Sequence, residues 1–181
     1  MLICLGLVLA VFGVYWQVHG FDYVNYDDPV YASQDPIVTH GLTFRGIAWA
    51  FTHVYFANWH PLTWISHMLD CQIFGVKPGG PHLENVIFHA ANATLLFLLL
   101  QRITGARWSS ALIAAIFALH PLHVESVAWI SERKDVLSTF FGFLSLLTYA
   151  RYVNETNSGN PKAKLTFIWA LVLFALSLMC K

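Results

Sequence analysis

The chain has 181 residues, of which 57% are hydrophobic and 11% charged, and its mean hydropathy is +0.56. Soluble domains carry roughly 45–50% apolar and about 25% charged residues, so the composition excludes an ordinary soluble globular protein. Ten Lys and Arg balance ten Asp and Glu, which leaves no basic surface of the kind nucleic acid requires.

In chain order, the first apolar stretch, 1–18, has no Lys or Arg before it and no Ala-x-Ala site after it. It reads as a membrane span rather than a cleaved signal. Residues 19–82 form a long outer loop. Within it 22–35 is turn-rich around Pro29, 43–54 has the apolar spacing and Thr start of an interfacial helix, and 61–74 is a second helix. Pro78-Gly79-Gly80-Pro81 is a turn opening the next span; with no Lys-Ser/Thr after it, it is not a phosphate loop.

Four more spans follow at 83–102, 107–128, 136–153 and 165–181, near the lower length for a bilayer crossing and edged by Trp and Tyr. The connector 154–164 reads as a flexible cytoplasmic loop. Asn92-Ala93-Thr94 and Asn154-Glu155-Thr156 match the glycosylation sequon, but one falls in a span and the other on the cytoplasmic side. The three cysteines, Cys4, Cys71 and Cys180, are widely separated and read as buried thiols. The predicted fold is an all-α integral membrane bundle, a single polytopic domain. The apolar run reaching residue 180 reads as a piece of a longer protein.

Orientation follows from the positive charges. Arg102 and Arg107 flank one turn and Arg151, Lys162 and Lys164 another, against only Arg133 and Lys134 between the third and fourth spans, which places the amino terminus inside. All nine histidines and every acid except Glu155 then fall on the outer side. Chemistry is expected on that face.

Four constellations carry the candidates. Asn25-Tyr26-Asp27-Asp28-Pro29-Val30-Tyr31 pairs carboxylates just after a span, where mutual repulsion favours a base working near neutral pH; the bland alternative is a turn before Pro29. His82, Asn85, His89 and Asn92 share one helix face, either as a functional stripe or as interhelical hydrogen bonding. His120-Pro121-Leu122-His123-Val124-Glu125, followed by Ser131-Glu132-Arg133-Lys134-Asp135, gathers ionisable groups at the mouth of the bundle, where Pro121 breaks the helix. Asn58-Trp59-His60-Pro61-Leu62-Thr63-Trp64 sets aromatic rings beside His, which suits a sugar or a lipid headgroup, or simple interfacial anchoring.

These motifs, with Ala118-Leu119-His120-Pro121-Leu122-His123-Val124-Glu125-Ser126-Val127-Ala128-Trp129 and His82-Leu83-Glu84-Asn85, resemble the membrane domain of transmembrane and tetratricopeptide-repeat (TMTC-type) proteins and their bacterial relatives. That family belongs with the GT-C glycosyltransferases, and its animal members are protein O-mannosyltransferases. No helical repeat of about 34 residues occurs in this chain.

The resemblance implies transfer of a hexose, such as mannose, from a polyprenyl-phosphate sugar to a Ser or Thr hydroxyl of a protein, or to a glycan, with inversion. It maps the principal catalytic carboxylate to Asp27 and its helper to Asp28. Tyr31, His60, His89, His120, His123, Glu125, Glu132, Arg133, Lys134 and Asp135 are the expected substrate- and phosphate-binding residues. Acid and imidazole groups, Asp27, His123 and Glu132 among them, are expected to meet in one pocket on the outer rim. No cofactor is implied, although Asp27, Glu125, Glu132 and Asp135 are hard oxygen ligands that suit a divalent metal. The expected setting is a bacterial inner membrane, with the endoplasmic reticulum as alternative. Two rival readings are a haem- or metal-binding membrane protein and a non-catalytic anchor for a repeat domain.

Overall fold

The computed structural model describes residues 1–181, and every regular element in it is helical. The first helix, α1 (Leu2–Tyr15), continues as a tighter turn over Trp16–Gly20. The outer segment then holds α2 (Pro36–Thr39), α3 (Phe44–Thr52) and α4 (Pro61–Phe74). Five further helices follow: α5 (Gly79–Thr104), α6 (Arg107–Leu119), α7 (Val124–Ala128), α8 (Arg133–Asn157) and α9 (Ala163–Leu178).

Three of these stretches, Leu2–Gly20, Gly79–Thr104 and Ile130–Asn157, are long and apolar enough to cross a bilayer. At 1.5 Å per residue the 26 residues of α5 reach about 39 Å, against a hydrocarbon core of about 30 Å. A fourth crossing forms if α6 and the Pro121–Ala128 segment, bent by 50°, act as one broken span. The bend is where Pro121 removes an amide donor, and the His120 Nδ1 caps the Leu122 amide at 3.2 Å. At 16 residues α9 is shorter than a full crossing. Large apolar side chains such as Leu9, Trp108, Leu112, Ile116, Trp169 and Phe174 point outward, as a lipid-facing surface requires. This is a multi-pass membrane protein.

The core runs along α1, α5 and α6, where Leu7, Val11, Tyr15, Val86, Ala90, Ala93, Phe97, Ala114 and Ala118 interlock. Small residues let the helices approach where no hydrophobic effect separates lipid from protein. A second cluster, Tyr31, Val38, Ala50, Trp64 and Met68, holds the outer segment together. Thr43 caps α3 by accepting from the Gly46 amide at 3.0 Å. A Cβ at Gly46 would lie 2.9 Å from the Met68 sulfur of α4, so a larger residue there would push the Met68 side chain aside.

Local chemistry sets the other boundaries. Pro61 starts α4 and Gly75 stops it. Gly79 and Gly80, expected in a turn, already form the first turn of α5. The helix α8 runs on to Asn157, past the expected boundary, because Arg151 pairs with Glu155 at 2.7 Å one turn later and Glu155 also accepts from Thr166 at 2.5 Å. Residues 154–157 are therefore helix rather than flexible loop.

The outer segment packs over one end of the bundle. There the Leu62 amide donates to the Met179 carbonyl at 3.2 Å and the Thr63 hydroxyl to the Cys180 carbonyl at 2.8 Å. That end carries the start of α5, the end of α6 and the start of α8, and hence the acidic and histidine residues.

Candidate functional site

The first turn of α8 organises everything polar at this end. Consecutive residues of a helix point about 100° apart, so Glu132, Arg133, Lys134 and Asp135 leave the axis in different directions.

Arg133 points inward and is fully buried. Its Nε donates to Asn85 Oδ1. Nη1 donates to Ser66 Oγ at 2.7 Å and Glu84 Oε2 at 2.6 Å. Nη2 donates to Asp70 Oδ2 at 2.9 Å and the Pro81 carbonyl at 2.8 Å. A guanidinium has five N–H groups, so none remains for a phosphate. Arg133, expected to bind phosphate, instead ties α8 to α4 and α5.

The two adjacent aspartates separate in the same way. Asp28 is fully buried. It accepts from the Val24 amide at 2.8 Å, the Ser131 amide at 3.0 Å and the Ser131 hydroxyl at 2.5 Å. Three donors on one carboxylate make an anchor rather than a reactive helper. Asp27 is half-buried and its carboxylate has no hydrogen-bond partner within the protein.

Asp27 belongs to a rim with Tyr31, Asn58, His60, Glu132 and Lys134. The Tyr31 ring stacks on Trp64 at 4.6 Å and its hydroxyl accepts from Asn58 Nδ2 at 3.2 Å. Asp27, Glu132 and Lys134 all lie within electrostatic range of that hydroxyl, whose pKa is raised by burial first, against the lowering effect of Lys134. Lys134 Nζ stands 6.0 Å from the Tyr31 ring centre and 2.8 Å from Glu132 Oε1. Tyr31 is only 2% exposed, so it serves as a platform for its neighbours.

Asn58 reaches Tyr31 because Phe56 and Ala57 both adopt left-handed backbone, with φ of 51° and 59°, closed by reciprocal Tyr55–Asn58 amide bonds of 3.0 Å. Such conformations cost on the order of 1–2 kcal/mol for each non-glycine residue. The two adjacent imidazoles are neutral: burial pushes His60 down to about 4 and His67 down to about 3, each assisted by a nearby cation or by the other ring.

The remaining expected residues lie elsewhere. The face of α5 stitches helices together: Asn85 donates to the Trp129 carbonyl at 3.0 Å, His89 Nε2 to Ala118 at 3.0 Å and Asn92 to Val136 at 2.8 Å. Of the two readings of that stripe, interhelical bonding accounts for these contacts. His89 and His123, 5.6 Å apart between ring centres, line a separate cavity of about 230 Å³ with Asp135. His120 is exposed and caps its own turn, and Glu125 is exposed without an ion pair. Of the residues expected to share one pocket, His89, His123 and Asp135 line this cavity, and Asp27, Glu132 and Lys134 are not among its lining residues. Asp27 and Glu132 share the rim, and His123 lines the cavity. Among His, Cys, Asp and Glu, no three side chains converge in a metal-holding group.

Ser131, Asp70 and Asn58 carry structural roles that the sequence alone did not assign to them. All three stand inside or beside motifs already singled out, so the signal was present but their partners were not visible.

Among known proteins, the chain is 32% identical over 125 residues to a protein named Protein O-mannosyl-transferase Tmtc2 of Drosophila melanogaster, covering 68% of this chain and 13% of that one. It is 32% identical over 129 residues to human Protein O-mannosyl-transferase TMTC3, covering 68% and 13%. It is 30% identical over 141 residues to mouse Protein O-mannosyl-transferase TMTC4, covering 68% and 19%. The segment is TMTC-type membrane domain. It spans less than a fifth of the length of these curated relatives. No family profile and no solved structure matches the chain.

Proposed function

We propose that this segment contributes the outer-face reaction centre of a membrane glycosyltransferase that moves a hexose, such as mannose, from a polyprenyl-phosphate carrier to a Ser or Thr hydroxyl of a protein. The observation that carries the reading is the division between the two adjacent aspartates. Asp28 is locked by three donors, whereas Asp27 offers an unengaged carboxylate within electrostatic range of the Tyr31 hydroxyl, a range it shares with the Lys134 ammonium.

In the proposed step the acceptor oxygen attacks the anomeric carbon and its proton passes to a carboxylate oxygen of Asp27. The bond from the anomeric carbon to the phosphate oxygen breaks on the opposite face, so configuration inverts. The electron pair leaves with the polyprenyl phosphate, whose negative charge Lys134 offsets. General-base assistance of this kind is worth about 10²–10⁴-fold. His60, held neutral by burial, serves as a hydrogen-bonding group rather than a cation. The names of the relatives support a protein acceptor.

The test is a transfer assay with the full-length protein in lipid nanodiscs, labelled polyprenyl-phosphate mannose and a Ser/Thr-rich peptide. The proposal expects labelled peptide with inverted anomeric configuration. Binding of the carrier without any turnover, over a range of acceptor peptides, would overturn it.

A further inference from the structure

At the end of the bundle away from the acidic rim, α5 and α8 enclose a groove of about 370 Å³. Leu99, Ile103, Leu146, Tyr149 and Val153 make its walls. All but Leu99 are exposed, so the walls stand open to the hydrocarbon of a bilayer rather than to a packed core. Leu146 lies about two turns deeper on α8 than Asn154, so the groove runs about 12 Å along the helix from its polar mouth. That length suits part of an acyl chain.

The mouth carries the polarity. Arg102 stands in the last turn of α5 and Asn154 in the last turn of α8. The Arg102 guanidinium has no ion pair or hydrogen bond within the protein, and the Asn154 side-chain amide has no partner either. Glu155, next to Asn154, is already taken by Arg151 at 2.7 Å and Thr166 at 2.5 Å. Five N–H groups of the guanidinium and two of the amide therefore remain free at the groove mouth. The lining holds one positive charge and no carboxylate. It lies at an end where Arg102, Arg107, Arg151, Lys162 and Lys164 face only Glu155. Unlike Arg133, Arg102 has no structural partner to account for its charge.

An apolar slot that opens sideways into hydrocarbon and ends in an unpaired guanidinium matches a molecule built in the same order, an acyl chain joined to a phosphate. We propose that this groove binds an anionic glycerophospholipid of the cytoplasmic leaflet. One acyl chain lies between α5 and α8, and the headgroup phosphate accepts from Arg102 and Asn154. The proposal stands independently of the transferase reading. A lipid so placed joins α5 and α8 at one end, as the hydrogen bond from Arg133 to Asn85 joins them at the other.

The experiment is native mass spectrometry of the full-length protein in detergent, equilibrated with equimolar dioleoyl phosphatidylglycerol and dioleoyl phosphatidylcholine. Melting temperatures are recorded for every variant. Wild type is expected to retain phosphatidylglycerol at least about fivefold over phosphatidylcholine, the preference that one cation near a lipid surface confers. Arg102→Gln should bring the two lipids to within about twofold. Arg107→Gln removes a charge from the same connecting turn but not from the groove, and should retain lipid as wild type does. Ala150→Phe, which fills the groove, should reduce retention of both lipids. Equal retention of the two lipids by wild type, as when another helix of the full-length chain occupies the groove, would overturn the proposal. So would an undiminished preference in Arg102→Gln or undiminished retention in Ala150→Phe. A loss in Arg107→Gln as large as in Arg102→Gln would mean diffuse surface attraction and overturn it as well.

Discussion

Arg133 and Lys134 are adjacent on one helical turn, carry the same charge and occupy opposite environments. Around Arg133, five acceptors from two other helices enclose the guanidinium completely. Around Lys134 the only ion pair is with Glu132, and the side chain stays 20% exposed, with its ammonium 6.0 Å from the Tyr31 ring centre. Asp28 and Asp27 repeat the pattern, one carboxylate enclosed by donors and one without any. The lesson is that a charged motif at the mouth of a bundle divides into a member that builds the site and a member that acts in it. A saturated group has no capacity left for a ligand, and an unsaturated one has no structural reason to be ionised there.

The contrast predicts different failures. The largest effect belongs to Arg133→Met. It leaves Asp70 and Glu84 facing each other without their cation, and breaking a buried pair costs about 3–5 kcal/mol. The variant is expected to lose its cooperative thermal transition or to shift it down by ten degrees or more. A melting temperature near that of wild type would show that the hub is dispensable.

Acid should weaken the outer segment next. The buried His60 and His67 have folded-state pKa values of about 4 and about 3, below the ordinary 6.5, so the unfolded chain takes up protons first as pH falls. Their contribution is complete above pH 6.5 and declines as pH drops toward 4 and 3. By pH 5 the loss amounts to about 2 kcal/mol for each imidazole. Melting temperatures at pH 7 and pH 5 should differ by several degrees, and His60→Asn should reduce the difference. A pH-independent transition would refute the assignment of neutral, buried rings.

Tyr31→Phe removes one hydrogen bond from Asn58 and leaves the stack on Trp64. It should cost about 1 kcal/mol, measurable by denaturation. The smallest stability effect is expected at Lys134→Met, below about 1 kcal/mol for a solvent-reached ion pair, together with a clear loss of affinity for polyprenyl phosphate. A large loss of stability in this variant would move Lys134 to the structural side of the comparison.

Much of the scaffold was legible in the sequence because its determinants are local. Pro61 and Gly75 bound α4, Thr43 starts α3, and the break at His120-Pro121 follows from a missing amide. The extension of α8 to Asn157 escaped because it depends on Glu155 meeting Thr166 across a turn. That acidic and histidine residues gather at this end of the bundle was legible, but which of them are saturated by structural partners was not. Asp27 and Asp28 are chemically identical neighbours, and the distinction between them is made by Ser131, 103 residues away. Likewise, that His123 lines a cavity with Asp135 while Asp27 does not is a tertiary property that spacing alone does not encode.

The most direct test of this division substitutes each aspartate separately in the full-length protein and measures melting temperature and hexosyl transfer on the same preparations. Asp27→Asn should melt like wild type and transfer about 10²–10⁴-fold more slowly, whereas Asp28→Asn should lose several degrees of stability, with any remaining folded protein turning over at a rate closer to wild type. An Asp27→Asn protein with undiminished transfer, or an Asp28→Asn protein that is fully stable yet inactive, would contradict it.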